Sequence, residues 1–169
     1  REGGQFAGPE RDRIRVLRDA IDLGADYVDI EESAACLLGD RLSSSLIISH
    51  HDFSAMPQDM NLLRRRIENH GPDAIKVAGM AIRPEDALQA LDLYESTSKP
   101  TISIAMGEHG VASRVLGLRY SNCLLTYCAS DSGESVAPGQ MTMTTMENVY
   151  LVGSIGRQTR AIGIVSRTP

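Results

Sequence analysis

The sequence predicts an α/β protein built as part of a (β/α)8 TIM barrel. Short apolar runs alternate with amphipathic segments, which is the pattern of βαβ units with a parallel sheet. The runs are continuously apolar, as strands buried on both faces are, and no Asn-Gly hairpin signal separates them. Polar residues stand inside these runs or at their carboxyl ends, where a barrel holds its active site. A doubly wound sheet is less favoured, because the Gly-x-Gly-x-x-Gly fingerprint is missing after the early strands.

The predicted helices carry apolar residues three or four positions apart, which gives each of them one face to bury. In the first helix these residues are Ile14, Leu17 and Ile21, and Gly24 follows as a C-cap. Pro84 suits the first turn of a later helix. Helices are predicted for residues 10–23, 58–69, a segment from Pro84 to Tyr94, 111–118 and 142–152, and residues 33–44 form at most a stunted helix.

The predicted strands are short apolar runs placed between these helices. They cover residues 27–31, 45–49, 74–80, 101–106, 123–127 and 161–165. Side chains of a strand alternate between its two faces, so Asp29 and Glu31 share one face of the first strand. These two carboxylates either line an active site or pair with arginines of the barrel.

Composition narrows the functional classes. The 169 residues are 42% hydrophobic and 23% charged, which fits one globular domain with a sizeable core. A net charge of −5 without a basic block argues against a nucleic-acid partner, and no apolar run approaches the roughly 18 residues of a membrane span. The three cysteines lack Cys-x-x-Cys spacing and predict reduced thiols in an intracellular protein. The chain begins at Arg1, so we expect it to be cut or processed, with any targeting peptide upstream.

Lys76 stands in the apolar run from Asp73 to Met80 and is the central candidate for chemistry. Burying an ammonium group is costly, so a lysine on a buried strand has a lowered pKa or a direct partner, unless it reaches solvent from an edge. A neutral lysine is a nucleophile suited to forming a Schiff base with a ketone. His51 follows the preceding strand, and Arg114 and Gln140 stand downstream.

A metal site is the alternative for the histidines. His50, His51 and Asp52, together with Glu31, supply imidazole and carboxylate ligands of the kind that zinc or manganese uses. No His-x-x-x-His or similar ligand spacing supports that site, and His51 could also simply cap a turn beside Asp52.

Six short motifs resemble the type I 3-dehydroquinate dehydratases of the shikimate pathway, and most closely the dehydratase half of the plant-type enzymes that also carry shikimate dehydrogenase. They occur in the order of the family and cover about residues 1–140. The motifs are Glu2-Gly3-Gly4, the stretch from Gly24 to Glu31, Ser49-His50-His51-Asp52-Phe53, the stretch from Asp73 to Ala78, Met106-Gly107-Glu108-His109-Gly110 with Ser113-Arg114, and Ala137-Pro138-Gly139-Gln140.

The resemblance implies dehydration of 3-dehydroquinate to 3-dehydroshikimate through an imine. By position, Lys76 would form the Schiff base, His51 would be the general acid and base, and Glu2 would orient His51. The substrate-binding residues implied with them are Arg114 and Gln140 for the carboxylate, Met106 and Tyr127 as walls of the ring site, Ala137 of the lid loop, and Asp29 and Glu31 as lining residues. The resemblance implies neither a metal nor an organic cofactor, and a NADP site would lie in a following dehydrogenase domain.

The departures from the family pattern also generate expectations. Only about strands four to eight of the barrel match, over residues 1–155, and residues 156–169 resemble a linker and the first strand of a shikimate dehydrogenase-like domain. An incomplete barrel exposes sheet edges, so we expect the chain alone to be unstable or inactive. Val136 replaces a serine that closes over the substrate in the family, with Ser135 one step early.

Two other functions remain open, namely an impaired remnant of that enzyme and another imine-forming barrel enzyme such as an aldolase. The plant-like resemblance implies the plastid stroma, and otherwise the cytoplasm.

Overall fold

The computed structural model describes residues 2–39, 43–132, 137–160 and 162. Its centre is a parallel four-stranded sheet in the order β1-β2-β3-β4, which confirms the predicted α/β architecture. The strands are β1 (Tyr27–Glu31), β2 (Ser45–Asp52), β3 (Ala74–Met80) and β4 (Thr101–Met106). The α-helices are α1 (Glu10–Asp22), α2 (Met60–Glu68), α3 (Glu85–Ser96), α4 (Val111–Leu116) and α5 (Met143–Asn148). Short 3-10 helices cover Glu32–Leu37, Glu108–Gly110, Gly117–Arg119 and Val152–Ser154.

The outer face of the sheet packs against the helices. Ile30, Ile48 and Val77 point to this face and are nearly inaccessible to solvent. They join one apolar cluster with helix residues that recur at helical spacing, which are Ile14 and Ile21 of α1, Leu63 and Ile67 of α2, and Ala90 and Leu93 of α3. The packing therefore follows from the helical periodicity of the sequence.

The inner face carries a second, smaller apolar cluster that includes Ile47, Ala78 and Ile104. In the register of the sheet, Ser49 of β2 lies beside Lys76 of β3. Lys76 alternates with the outward residues of β3, so its side chain is on the inner face with Ala78. The polar site is therefore built on the sheet face that the helices do not cover.

Two predicted elements differ from the structure. Residues 123–127 do not form a strand, because only Cys123 pairs with Thr101 as an isolated parallel bridge, although the Leu124 N–H still donates to the Thr101 carbonyl oxygen at 2.9 Å. The last helix is shorter than predicted and ends at Asn148, and Leu151 then adopts a left-handed conformation with φ 51°.

The remaining predicted elements agree with the structure to within a few residues. The stunted helix of residues 33–44 is a 3-10 helix over Glu32–Leu37. The predicted strand 161–165 lies almost entirely outside the described residues, as do Ser135 and Val136. In the part of the chain that the structure describes, no helix is long and apolar enough to cross a membrane.

Candidate active site

A cavity of about 310 Å³ opens at the carboxyl ends of the strands. It brings together every predicted site residue except Asp29 and Glu31. The lining residues are Glu2, Gly3, Gly4, His51, Phe53, Lys76, Ala78, Ile104, Met106, Arg114, Tyr127, Ala137 and Gln140. The volume suits a small molecule, and the lining combines apolar walls with a few convergent polar groups, as ligand sites do.

Lys76 is mostly buried, with 14% of its side chain exposed, and it has a direct partner. Its Nζ donates to Oδ2 of Asp29 at 2.7 Å and lies 5.2 Å from the centre of the Tyr127 ring. Burial works against the ammonium, but the charge and hydrogen bond of Asp29, with a smaller effect of Tyr127, raise the pKa of Lys76 above its ordinary value. Of the two outcomes open for this lysine, the structure therefore shows the partner and not the lowered pKa.

His51 lies on the inner face of β2, close to the carboxyl end of that strand. Glu2, near the start of the chain, forms hydrogen bonds with it. Oε2 of Glu2 accepts the backbone N–H of His51 at 2.6 Å and lies 3.2 Å from Nδ1 of its ring. Burial opposes the charge of Glu2, but these hydrogen bonds and the two nearby histidines lower the pKa of its carboxyl group. Glu2 is therefore an anion placed against one ring nitrogen of His51.

Arg114 is almost fully buried, with 2% of the residue exposed. Its Nη2 donates to the Pro138 carbonyl oxygen at 3.2 Å, while its Nε has no partner among the described residues. Burial lowers the pKa of the guanidinium, and no carboxylate in the described ranges forms an ion pair with it. A buried cation without a counterion, at the wall of a cavity, is suited to binding an anionic ligand.

The loop that carries Ala137 and Gln140 is seated directly on the end of β4. The N–H of Gly107 donates to the Pro138 carbonyl oxygen at 3.0 Å. Gly139 has φ 70°, and a Cβ atom there would lie 2.3 Å from the Gly107 carbonyl oxygen. Only glycine fits this backbone conformation and this close approach.

Glu31 and Asp29 lie outside the lining of this cavity. Glu31 accepts a hydrogen bond from Nη1 of Arg13 at 2.5 Å and faces a separate cavity of about 220 Å³. Glu31 therefore pairs with an arginine, which is one of the two open interpretations, whereas Asp29 pairs with Lys76 from outside the lining of the cavity.

Sequence reasoning missed several lining residues, although strand periodicity could have identified them. Ala78 lies two positions after Lys76, Ile104 two before Met106, and Phe53 two after His51. Among the described residues, no group of three or more His, Cys, Asp or Glu side chains is arranged to hold a metal ion.

The fold and the site define a parallel α/β protein in which a mostly buried lysine, a histidine and a buried arginine meet at one cavity. Residues 1–156 match the Type I 3-dehydroquinase family, and the chain belongs to that family. It is 33% identical over 174 residues to the chloroplastic bifunctional 3-dehydroquinate dehydratase/shikimate dehydrogenase of Arabidopsis thaliana, covering 98% of this chain and 29% of that protein. It is 32% identical over 162 residues to the 3-dehydroquinate dehydratase of Desulfotalea psychrophila, covering 88% of this chain and 71% of that protein.

Solved structures agree with this assignment. A 3-dehydroquinate dehydratase from Geobacillus kaustophilus matches with a TM-score of 0.74 and 29% identity, over 89% of this chain and 63% of that chain. A type I 3-dehydroquinate dehydratase from Clostridium difficile with covalent modified comenic acid matches with a TM-score of 0.76 and 25% identity, over 91% of this chain and 66% of that chain. The chain thus spans about two thirds of the length of these two proteins.

Proposed function

We propose that this chain carries the catalytic residues of a shikimate-pathway lyase that dehydrates 3-dehydroquinate to 3-dehydroshikimate. The observation that supports it most is the convergence of Lys76, His51 and Arg114 on one cavity. The substrate is a small cyclic hydroxy acid with a ketone, so it needs an amine for the ketone, an acid–base group for the elimination and a cation for the carboxylate.

In the first part of the reaction, the amine of Lys76 attacks the ketone carbon. A C–N bond forms, the carbonyl oxygen leaves as water, and an iminium ion remains on Lys76. The iminium draws electrons from the adjacent C2–H bond, so that proton becomes acidic enough for an imidazole to remove.

In the second part, His51 removes the C2 proton and an enamine forms. The electron pair of the enamine then expels the C1 hydroxyl, which takes the same proton from His51 and leaves as water. A conjugated iminium results, and its hydrolysis, assisted by His51, returns the free lysine and 3-dehydroshikimate. Because one base acts on one face of the ring, the elimination is syn.

The substrate carboxylate is assigned to Arg114 and Gln140. Arg114 offers a planar fork that donates two parallel hydrogen bonds to a carboxylate, and burial strengthens such bonds. Met106 and Tyr127 form walls for the ring, and Ala137 covers it from the loop. No metal and no organic cofactor take part in this mechanism.

The proposal includes a register within the barrel of the family. We place β1 to β4 as strands four to seven, and the segment that starts at Cys123 at the position of the eighth strand, although it forms a single bridge and not a full strand. In its support, Cys123 extends the sheet beyond β4 through its bridge to Thr101. Residues 1–155 then form the barrel part, and residues 156–169 a linker toward a possible dehydrogenase domain. If the source is a plant, the location is the plastid stroma, as the name of the Arabidopsis relative suggests.

Borohydride trapping tests the imine directly. The chain contains two lysines, Lys76 and Lys99, and Nζ of Lys99 is bonded to the Pro72 carbonyl oxygen at the opposite end of the strands. Treatment with 3-dehydroquinate and borohydride should give one adduct on the peptide of Lys76. Lys76→Ala should abolish the adduct, and the matched variant Lys99→Ala should retain it.

The same assay should be run on a chimera in which residues 1–156 replace the matching part of the Desulfotalea psychrophila dehydratase. The chimera supplies the part of the Desulfotalea psychrophila protein that this chain does not match. Absence of an adduct from a chimera that circular dichroism shows to be folded would refute the proposed function. An adduct that forms with other ketones but not with 3-dehydroquinate would favour an aldolase-type enzyme instead.

A further inference from the structure

Asp29 is the carboxylate in direct contact with the reactive lysine. Its Oδ2 accepts a hydrogen bond from Nζ of Lys76 at 2.7 Å, although the two residues belong to strands that β2 separates. The lysine side chain therefore reaches across the inner face of β2, where its neighbour in the register is the small, buried Ser49. The pair is built by the register of three strands and not by adjacency in the sequence.

An ammonium group has no lone pair, so Lys76 must lose a proton before it can attack a ketone. The proton needs an acceptor within hydrogen-bond distance, and Asp29 is placed there. His51 is placed differently, because the Nδ1 side of its ring faces Glu2 and no described contact joins it to Lys76. Asp29 thus contacts the amine of Lys76, whereas Glu2 contacts the imidazole of His51.

We propose that Asp29 accepts the proton of Lys76 when the imine forms and then remains as the counterion of the iminium. This inference rests on the proposed function and assigns Asp29 a role beyond lining the site. In the step, the proton moves from Nζ to Asp29 and the amine forms the C–N bond as the carbonyl electron pair moves onto oxygen. That oxygen then takes the proton from Asp29 and a second one from the nitrogen, and leaves as water.

The charge of the site supports the second half of this role. The cation persists on the same nitrogen from ammonium to iminium, so Asp29 neutralises it at both stages without moving. The other titratable groups around it are Tyr127, near Nζ, and Glu2, His51 and Arg114 in the cavity. Asp29 keeps 33% of its side chain exposed, so water also reaches this carboxylate.

The test separates the reactivity of the lysine from the rate of imine formation. Asp29→Asn keeps the size of the side chain and removes its charge. The matched control is Asp26→Asn, the same substitution at an exposed residue just before β1. Acetic anhydride labelling across a range of pH, read by mass spectrometry, compares Lys76 with Lys99 as an internal standard.

In Asp29→Asn, Lys76 stays buried but loses its counterion, so its pKa should fall and we expect labelling of Lys76 near pH 7 to rise about tenfold. We expect the rate of the borohydride-trapped adduct with 3-dehydroquinate to fall about 100-fold, as for loss of a general base. Labelling of Lys99 and both rates in Asp26→Asn should stay unchanged. A more reactive amine that forms the imine more slowly is an outcome that simple loss of structure does not produce.

Two results would overturn the proposal alone. If the rate of adduct formation in Asp29→Asn stays constant, or rises as the labelling of Lys76 rises, Asp29 only lowers the reactivity of the Lys76 amine and does not assist imine formation. If labelling and adduct rate fall together, Asp29 only maintains the site. If the wild-type protein and the chimera form no adduct with 3-dehydroquinate, the proposed function fails and this role falls with it.

Discussion

One carboxylate oxygen of Glu2 contacts both the backbone and the ring of His51. Oε2 accepts the backbone N–H at 2.6 Å and lies 3.2 Å from Nδ1, while Oε1 lies 3.6 Å from Nδ1 of His50. A carboxylate at Nδ1 favours the tautomer that carries its proton there, which leaves Nε2 as the basic atom. The geometry therefore prepares His51 to accept a proton from a ligand in the cavity.

Glu2→Gln should lower kcat about 100-fold, because the neutral amide no longer stabilises the imidazolium that forms on proton removal. The side chain can still accept the backbone N–H of His51, so the local fold should persist. Steady-state formation of 3-dehydroshikimate by the chimera that contains residues 1–156 measures the effect, and Glu147→Gln on the exposed face of α5 is the matched control. An unchanged kcat would show that Glu2 has no part in the proton transfer.

The lowered pKa of Glu2 also makes a prediction about acid stability. A carboxyl group whose pKa is lower in the folded state stabilises the fold above its unfolded pKa, which is about 4.3 for Glu. This contribution disappears as the pH falls from about that value through the folded pKa. The wild-type Tm should therefore drop more steeply below about pH 4.3 than the Tm of Glu2→Gln. Parallel Tm curves for the two proteins would contradict a stabilising contact of the Glu2 carboxylate with His51.

Removal of the Arg114 guanidinium group should weaken binding of the substrate carboxylate. Hydrogen bonds to charged groups contribute about 1.5–3 kcal/mol, so Arg114→Gln should raise KM by roughly 10- to 150-fold. The sharper measurement is the preference for 3-dehydroquinate over its methyl ester, because that ratio does not depend on protein stability. The wild type should prefer the acid, and Arg114→Gln should lose most of the preference. An unchanged ratio would place the carboxylate elsewhere.

The fold was largely predictable because parallel strands and amphipathic helices leave strong periodic signals. The predicted bounds 74–80 and 101–106 coincide with β3 and β4, both of which are central and continuously apolar. The prediction for residues 123–127 was wrong, although that run is also apolar. Thr101 donates its N–H to the Asn122 carbonyl oxygen and accepts the Leu124 N–H, which makes one bridge opposite Cys123. A ladder that ends after one bridge depends on the neighbouring backbone, which the sequence pattern does not encode.

The sequence was sufficient to predict most residues of the candidate site, but not which of their side chains contact one another. Resemblance and strand position together identified most of the residues that line the cavity. The contact of Lys76 with Asp29 depends on the register of three strands, and no local pattern predicts it. The same holds for Arg114, whose burial without a counterion among the described residues is visible only once α4 is packed.

The close contact between Gly139 and Gly107 makes the loop over the site sensitive to a single methyl group. A Cβ atom at Gly139 would lie 2.3 Å from the Gly107 carbonyl oxygen, and φ 70° disfavours any side chain there. Gly139→Ala should therefore displace the loop that carries Ala137 and Gln140, together with the Pro138 carbonyl oxygen that Arg114 and Gly107 share. We expect kcat/KM to fall about 100-fold, the size of effect seen when positioning is lost by about 1 Å.

The control for this prediction is Gly153→Ala, because that glycine has open space at the Cβ position and no positive φ. It should leave kcat/KM unchanged. Steady-state kinetics should be read beside the circular dichroism spectrum, since the sheet does not depend on the loop and should survive in both variants. A Gly139→Ala protein with wild-type kcat/KM would mean that the backbone at the end of β4 can shift to accommodate the methyl group. The close contact of Gly139 with Gly107 would then not be needed to position the substrate.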